Sequence, residues 1–350
     1  MIGIEVQKDL MKDASNLILT TTDGSNTFKV NHEIEKTEEF YTIVNAETFS
    51  KLVGKTTKEF IELENKDNYL QIKANKGTYK LDISINEDGE VRRFPEIKNI
   101  QLESKTINVE ILKNQLKTAK SSIAKTFDVP FLTGYYVANN TITTNTQLIC
   151  SIENNNFDET LLISNEMAEL IQLIDEPFAG LLKENNDIIL YTDTITISGK
   201  ELEGKELYPV AQITDLLQKN AYQNTIKVNK QEILSVLDRM QLFVNDKYDK
   251  NGVKLAFTKE ALLVKSQKSN AQELIDAECT SDSEFDILVD IEMLRNQIQT
   301  ISTDIVEIQY GLPPKIQIVE GQEIEVDQNK SIKIVDGNCT HIIALLNKTE

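Results

Sequence analysis

Four lysines fall within thirteen residues, Lys113, Lys117, Lys120 and Lys125, and the only acidic residue between Thr106 and Lys125 is Glu110. Positions 113, 117 and 120 are spaced i, i+4, i+7, so a helix through them would carry all three on one side. Ammonium groups arranged this way neutralise phosphate oxygens without reading bases. The rest of the chain has the opposite charge: 56 Asp and Glu against 37 Lys and Arg in 350 residues, a formal net charge of −19. An acidic body with one basic helix suits a polyanion held at one face and repelled elsewhere.

Nothing comparable points to catalysis. The chain has no G-x-x-x-x-G-K-[ST], G-x-S-x-G, H-E-x-x-H or G-x-G-x-x-G. Carboxylates are so abundant that no pair of them is informative, and they read as solvated surface. Cys150, Cys279 and Cys339 are odd in number, far apart and outside any C-x-x-C spacing. They read as buried structural thiols in a reducing compartment. With only His32 and His341 to assist, neither a metal site nor a cofactor is expected. No apolar run approaches the roughly 18 residues of a membrane span, and no basic-then-apolar leader opens the chain, so a cytoplasmic location is expected.

The elements that position the lysines repeat. T-I-x-V followed by an amphipathic run opens at Thr106 and again at Thr225, 119 residues later. A second phrase, an apolar strand entering a short helix, occurs at Tyr41 (YTIVNAETFSKLV), Leu161 (LLISNEMAELIQLI) and Asp286 (DILVDIEMLRNQI). This period exceeds that of solenoids, about 20 to 50 residues, and implies tandem duplication of a domain. Ile111, Leu112, Leu116, Ala119 and Ile123 form one predicted apolar stripe; Ile233, Leu234, Leu237, Met240 and Leu242 nearly form another. Asn45, Ser164 and Asp290 stand where N-caps belong. Turns are expected at Asn75–Gly77, Glu87–Gly89 and Asp336–Gly337, and a rigid bend at Leu312-Pro313-Pro314-Lys315. Polar segments 84–105 and 200–222, with the steps Phe94-Pro95 and Tyr208-Pro209, place the cuts: 1–104, 105–223 and 224–350.

These residues resemble the bacterial-type DNA polymerase sliding clamps, the beta subunits of DNA polymerase III, over nearly the whole chain. Asp128-Val129-Pro130-Phe131-Leu132-Thr133-Gly134 is similar to that family's R-P-x-L-x-G motif, the two aromatic-Pro steps to its F-P steps, and VLDRMQLF to its L-x-R helix, with Arg239 as the arginine. The resemblance implies an α+β chain of three clamp domains, with antiparallel sheets outside and helices lining a ring closed by two subunits. It implies a non-enzymatic processivity factor that encircles duplex DNA and tethers the replicative polymerase and the clamp loader. Two departures stand out. The first domain lacks the family's opening strand and helix, which leaves a truncated start or a divergent, phage-encoded version as open readings. The family's T-D-G-x-R-L turn reads Thr144-Asn145-Thr146-Gln147-Leu148 here, without its Asp, Gly and Arg.

By resemblance, Lys51, Lys113, Lys117, Lys120, Lys125 and Arg239 face DNA. Leu132, Thr144, Thr146, Leu148, Pro209, Pro313, Ile342 and Ala344 form a groove for partner peptides, with Leu148 and Pro209 partly exposed on its wall. Tyr79 and Leu81 pair across a dimer seam with Leu274 and Ile275. A eukaryotic- or archaeal-type clamp, with two domains per subunit in a trimer, fits three repeats poorly. The alternative from another class is a non-catalytic structural or virion assembly protein, which has no use for a basic helix.

Overall fold

In the computed structural model, residues 1–9, 11–57, 60–97, 104–126, 128–154, 157–218, 222–244, 251–280, 285–313, 315–319, 322–326 and 329–346 are described. Pro314 of the predicted bend, and 98–103 and 219–221 of the two polar segments, lie outside them. The chain divides into two compact units, Met1–Lys113 with Glu166–Glu201, and Asn114–Asn165 with Leu202–Glu350.

The first unit holds an antiparallel sheet in the order Phe40–Val44, Ile2–Lys8, Ala14–Thr22, Thr27–Glu35, Ile195–Lys200, Asp187–Tyr191, Phe178–Glu184, Lys105–Asn108. A second sheet runs Glu62–Asn65, Tyr69–Ala74, Gly77–Asp82. Helix α1 (Ala46–Gly54) buries Phe49 against Ile4, Val44, Leu70 and Ile72. The second unit has one long antiparallel sheet. Its order is Leu161–Ser164, Gly134–Val137, Asn140–Thr144, Leu148–Glu153, Cys339–Ala344, Ser331–Asp336, Ile305–Tyr310, Asn224–Asn229, Gln272–Cys279, Ala261–Ser266, Gly252–Phe257, Phe285–Asp290.

Both sheets run through the sequence cuts, because strands of successive repeats pair with each other. Thr27–Glu35 pairs with Ile195–Lys200, and Leu148–Glu153 with Cys339–Ala344. Such pairing satisfies edge N–H and C=O groups that a lone domain would leave open. Strand, helix, three strands, then the same again is the order in 105–200 and in 224–344, where the hairpin Lys315–Val319/Gln322–Val326 is inserted. The first repeat opens directly on three strands.

The remaining helices are α2 (Val109–Ala119), α3 (Asn165–Ile171), α4 (Val210–Gln218), α5 (Lys230–Met240) and α6 (Ile291–Thr300). Asn45 and Asp290 cap α1 and α6 as expected, accepting from the N–H of Thr48 and Met293 at 2.9 Å. Asn108 and Asn229 do the same for α2 and α5, with Ile111 at 2.9 Å and Glu232 at 3.1 Å. The caps correct the repeat. They are 121 residues apart, and Leu112, Leu116 and Ala119 match Ile233, Leu237 and Met240 at that spacing, all buried. The T-I-x-V phrases therefore align two residues out of register. The stripes are corrected too: Ile111 and Leu242 are exposed, and buried Gln115 and Val236 take their places. All three turns form, with Asn75 at φ 56°, Gly89 at 80° and Gly337 at 58°.

Candidate functional site

The groove candidates gather about the paired strands Leu148–Glu153 and Cys339–Ala344, and register decides which face each side chain takes. Thr144 pairs with Ile149, and Ile149 with Ile342. Side chains alternate along strands, so Ile142, Thr144, Ile149, Ile342 and Ala344 share one face. An apolar cluster of Leu132, Ile142, Leu162, Tyr208 and Ile213 forms there, with Phe131, Tyr136, Ile149, Val210 and Leu217 packed at its margin. Tyr208 stacks on Tyr136 with ring centroids 5.2 Å apart and donates to the Ile142 carbonyl at 3.2 Å. Burial pushes its phenol well above the usual tyrosine range, so it is a neutral donor. Pro209 follows directly, half-buried at the start of α4. A side chain at Gly134 would stand 2.6 Å from the Ile163 carbonyl oxygen, so only glycine lets these strands close at the end of the P-x-L-x-G motif.

Leu148 is a correction. It lies on the opposite face, 3% exposed, in the core that α5 and α6 share with the sheet. It is therefore no exposed wall. Counted out from Thr144, the six-residue T-D-G-x-R-L pattern ends on Ile149, which does sit at the margin of the groove cluster; counting the positions would have found it. The turn itself is held by the Asn145 side chain, which accepts from the N–H of Gln147 and Leu148 at 3.1 and 2.7 Å. Thr146 stands at φ 76°, a backbone region that fits the family's glycine better than a β-branched residue. Leu132, Thr144 and Ile342 are buried, Ala344 is half-buried and Thr146 is exposed. Half-buried Pro313 sits in a loop whose Leu312 carbonyl accepts from Asn329, just before the strand that meets Ala344 at Ser331. Exposed apolar side chains flank these positions in sequence: Val129, Leu207 and Leu312.

The basic candidates separate as well. Lys113 is half-buried and donates to the Ile174 carbonyl at 2.7 Å, so the three lysines do not all project freely from one face. Lys120 is exposed in a 3-10 turn that continues α2. Lys51 pairs with Glu47 at 2.5 Å. Arg239 donates to both Glu273 oxygens, from Nε at 2.9 and 3.1 Å and from Nη2 at 2.6 Å, and to Ser235 at 2.6 Å. That hydrogen-bonded pair lowers the Glu273 carboxyl below the usual glutamate value. Lys117 and Lys125 are exposed and have no partner among the described residues.

Gly77–Asp82 is the outer strand of its sheet, with Tyr79 exposed and Leu81 half-buried against the α1 cluster. In Gln272–Cys279 the segment from Ala277 to Cys279 pairs with Asn224–Asn229, and the Ala277 N–H also donates to the Glu260 carbonyl at 3.0 Å. Gln272–Asp276 pairs only with Ala261–Ser266 among the described residues, so on its other side that segment offers a free edge. There Leu274 is exposed, while Ile275 is fully buried core, which removes Ile275 from the candidate seam surface.

No protein-family model and no curated protein matches this sequence. Solved structures do. A DNA polymerase sliding clamp from Pseudomonas aeruginosa superposes with a TM-score of 0.78 at 13% identity, covering 99% of this chain and 92% of that one. The DNA polymerase III beta subunit from Thermotoga maritima gives 0.80 at 15%, covering 99% and 91%. That from Borrelia burgdorferi, solved with a natural product, gives 0.82 at 16%, covering 99% and 91%. The chain has the sliding-clamp fold. Identity this low explains why the likeness shows in the backbone and not in sequence comparison. Among the described residues, no helix of this clamp-fold chain is long and apolar enough to cross a membrane.

Proposed function

We propose that the chain is a DNA polymerase processivity factor, a non-catalytic clamp of three repeats, 1–104, 105–223 and 224–350, working in the cytoplasm. Two copies close head to tail around duplex DNA, and the ring tethers the replicative polymerase and the clamp loader by short peptides. The observation that carries this reading is the clamp fold over 99% of the chain. Uncompensated Lys117 and Lys125 on an acidic protein support it: water-mediated attraction to phosphates holds DNA without fixing its position. The groove takes apolar peptide anchors on the face of Ile149, Ile342 and Ala344, a mode in which a few anchors carry most of the affinity. Leu274 and Tyr79 belong to the seam.

The test is retention on DNA of two topologies, with light scattering for the oligomer. A dimer loaded by a clamp loader should stay on nicked circular DNA and run off the linearised form. Leu274→Asp should give folded monomers that no DNA retains. Equal loss from circle and line would overturn the ring, and an unchanged dimer in the variant would move the seam elsewhere.

A further inference from the structure

The cysteines expected to be separate buried thiols are not separate. Cys150 and Cys339, 189 residues apart in sequence, approach to 3.8 Å between sulfurs, and Cys339 Sγ lies 3.3 Å from His341 Nε2. Register explains the meeting. Cys150 pairs directly with His341, and Cys339 is two residues along the same strand, so all three side chains project from one face. Cys150 and His341 are fully buried and Cys339 is 6% exposed. The three donor atoms lie within 4.8 Å of one another.

We infer that Cys150, Cys339 and His341 form a binding site for a thiophilic divalent cation of the zinc class. Zinc–sulfur bonds of about 2.3 Å and zinc–nitrogen bonds of about 2.0–2.1 Å set tetrahedral edges of about 3.8 Å for S···S and about 3.5 Å for S···N. The observed 3.8 and 3.3 Å lie close to two of these edges, and the third pair, Cys150 with His341, lies within 4.8 Å. A disulfide fits worse. Diagonal strand neighbours stand about 7–8 Å apart, whereas bridged cysteines usually have Cα atoms about 4.4–6.8 Å apart. Two thiolates and a neutral imidazole balance a divalent charge, which a buried site requires. Binding releases the two thiol protons to solvent. Thr300 Oγ1, 3.2 Å from the same ring nitrogen, offers a neutral fourth ligand. The cation would clip the strand of the middle repeat to that of the last, beside the Ile149–Ile342 pair.

The test uses the full-length chain, reduced and metal-free, titrated with Co²⁺ and then with Zn²⁺. One equivalent of Co²⁺ should give sulfur-to-cobalt charge-transfer absorption, and one equivalent of Zn²⁺ should erase it. Cys150→Ser and Cys339→Ser should abolish the band, and His341→Gln should weaken binding by about tenfold or more. Cys279→Ser should leave it intact, since that thiol bonds to the Tyr310 hydroxyl instead. No band in the folded parent overturns the site, with or without the variants, and so does a band that survives in both serine variants once circular dichroism shows them folded. Thiols counted in denaturant after aerobic purification should number three; a count of one would mean a disulfide and no cation site.

Discussion

Helices α2 and α5 occupy the same place in successive repeats and bury matching positions, yet their outer faces differ in charge: α2 carries an open lysine, whereas the charges at the end of α5 are paired. At the 121-residue spacing set by their caps, Lys117 of α2 corresponds to Asp238 of α5, and Lys120 to Gln241. Lys117 is exposed without a partner among the described residues. Asp238 is engaged by Arg295 at 2.5 Å, and its neighbour Arg239 is engaged by Glu273. The inner faces were constrained by packing, which tolerates little change in volume. The outer faces carry no such packing constraint, so two helices packed alike differ there and only α2 is openly basic. Counting basic residues therefore overstates attraction for phosphate, and uncompensated ones are the better measure.

The comparison breaks first in the core. Leu116→Ala and Leu237→Ala each remove a side chain exposed by 1% or less and should each cost about 2–5 kcal/mol. Urea unfolding measures both. A loss below about 1 kcal/mol in one of them would mean that the two helices are not equally packed. The caps come next. Asn108→Ala and Asn229→Ala should each cost about 1 kcal/mol. If only one does, the 121-residue alignment fails at its anchor.

Exchanging the outer faces sharpens the contrast. Lys117→Asp should lower the slope of log affinity for duplex DNA against log salt by about 0.9, the value of one phosphate contact. Asp238→Lys should raise it, both by adding a cation and by releasing Arg295. Arg239→Ala should leave the slope unchanged, because Glu273 already engages that guanidinium. Equal slopes in all three variants would place the DNA-facing surface away from α2.

The sequence disclosed what local chemistry dictates. Asn45 and Asp290 stand just after apolar strands and cap as expected, and the Asn75, Gly89 and Gly337 turns need positive φ, which Asn and Gly supply. Burial inside helices was less legible. Ile111 is apolar but lies outside the sheet-facing arc, whereas Gln115 is buried because Thr141 pairs with it at 3.0 Å. Strand pairing between distant segments was not legible at all. No local pattern announces that Cys150 faces His341, or that Leu148 points into the core while Ile149 packs against the Tyr208 cluster. Because side chains alternate along a strand, neighbours such as Leu148 and Ile149 face opposite sides, and a turn pattern read one residue short names the wrong face.

The smallest effect concerns the pair that neutralises α5. The Arg239 hydrogen bonds hold the Glu273 carboxyl below its ordinary value near 4.5. A carboxyl whose folded pKa is depressed adds stability above its unfolded pKa, and that contribution disappears as pH falls through the folded pKa. The parent should therefore exceed Glu273→Gln in stability by a constant small margin above about pH 5, as expected for a solvent-screened pair. The margin should close progressively below about pH 4.5. Urea midpoints measured from pH 7 down to pH 3 supply the test. A margin that persists at pH 3 would mean that Glu273 acts through packing, and then Arg239 would not be neutralised by charge. The distinction between an open α2 and a closed α5 would then rest on Asp238 and Arg295 alone.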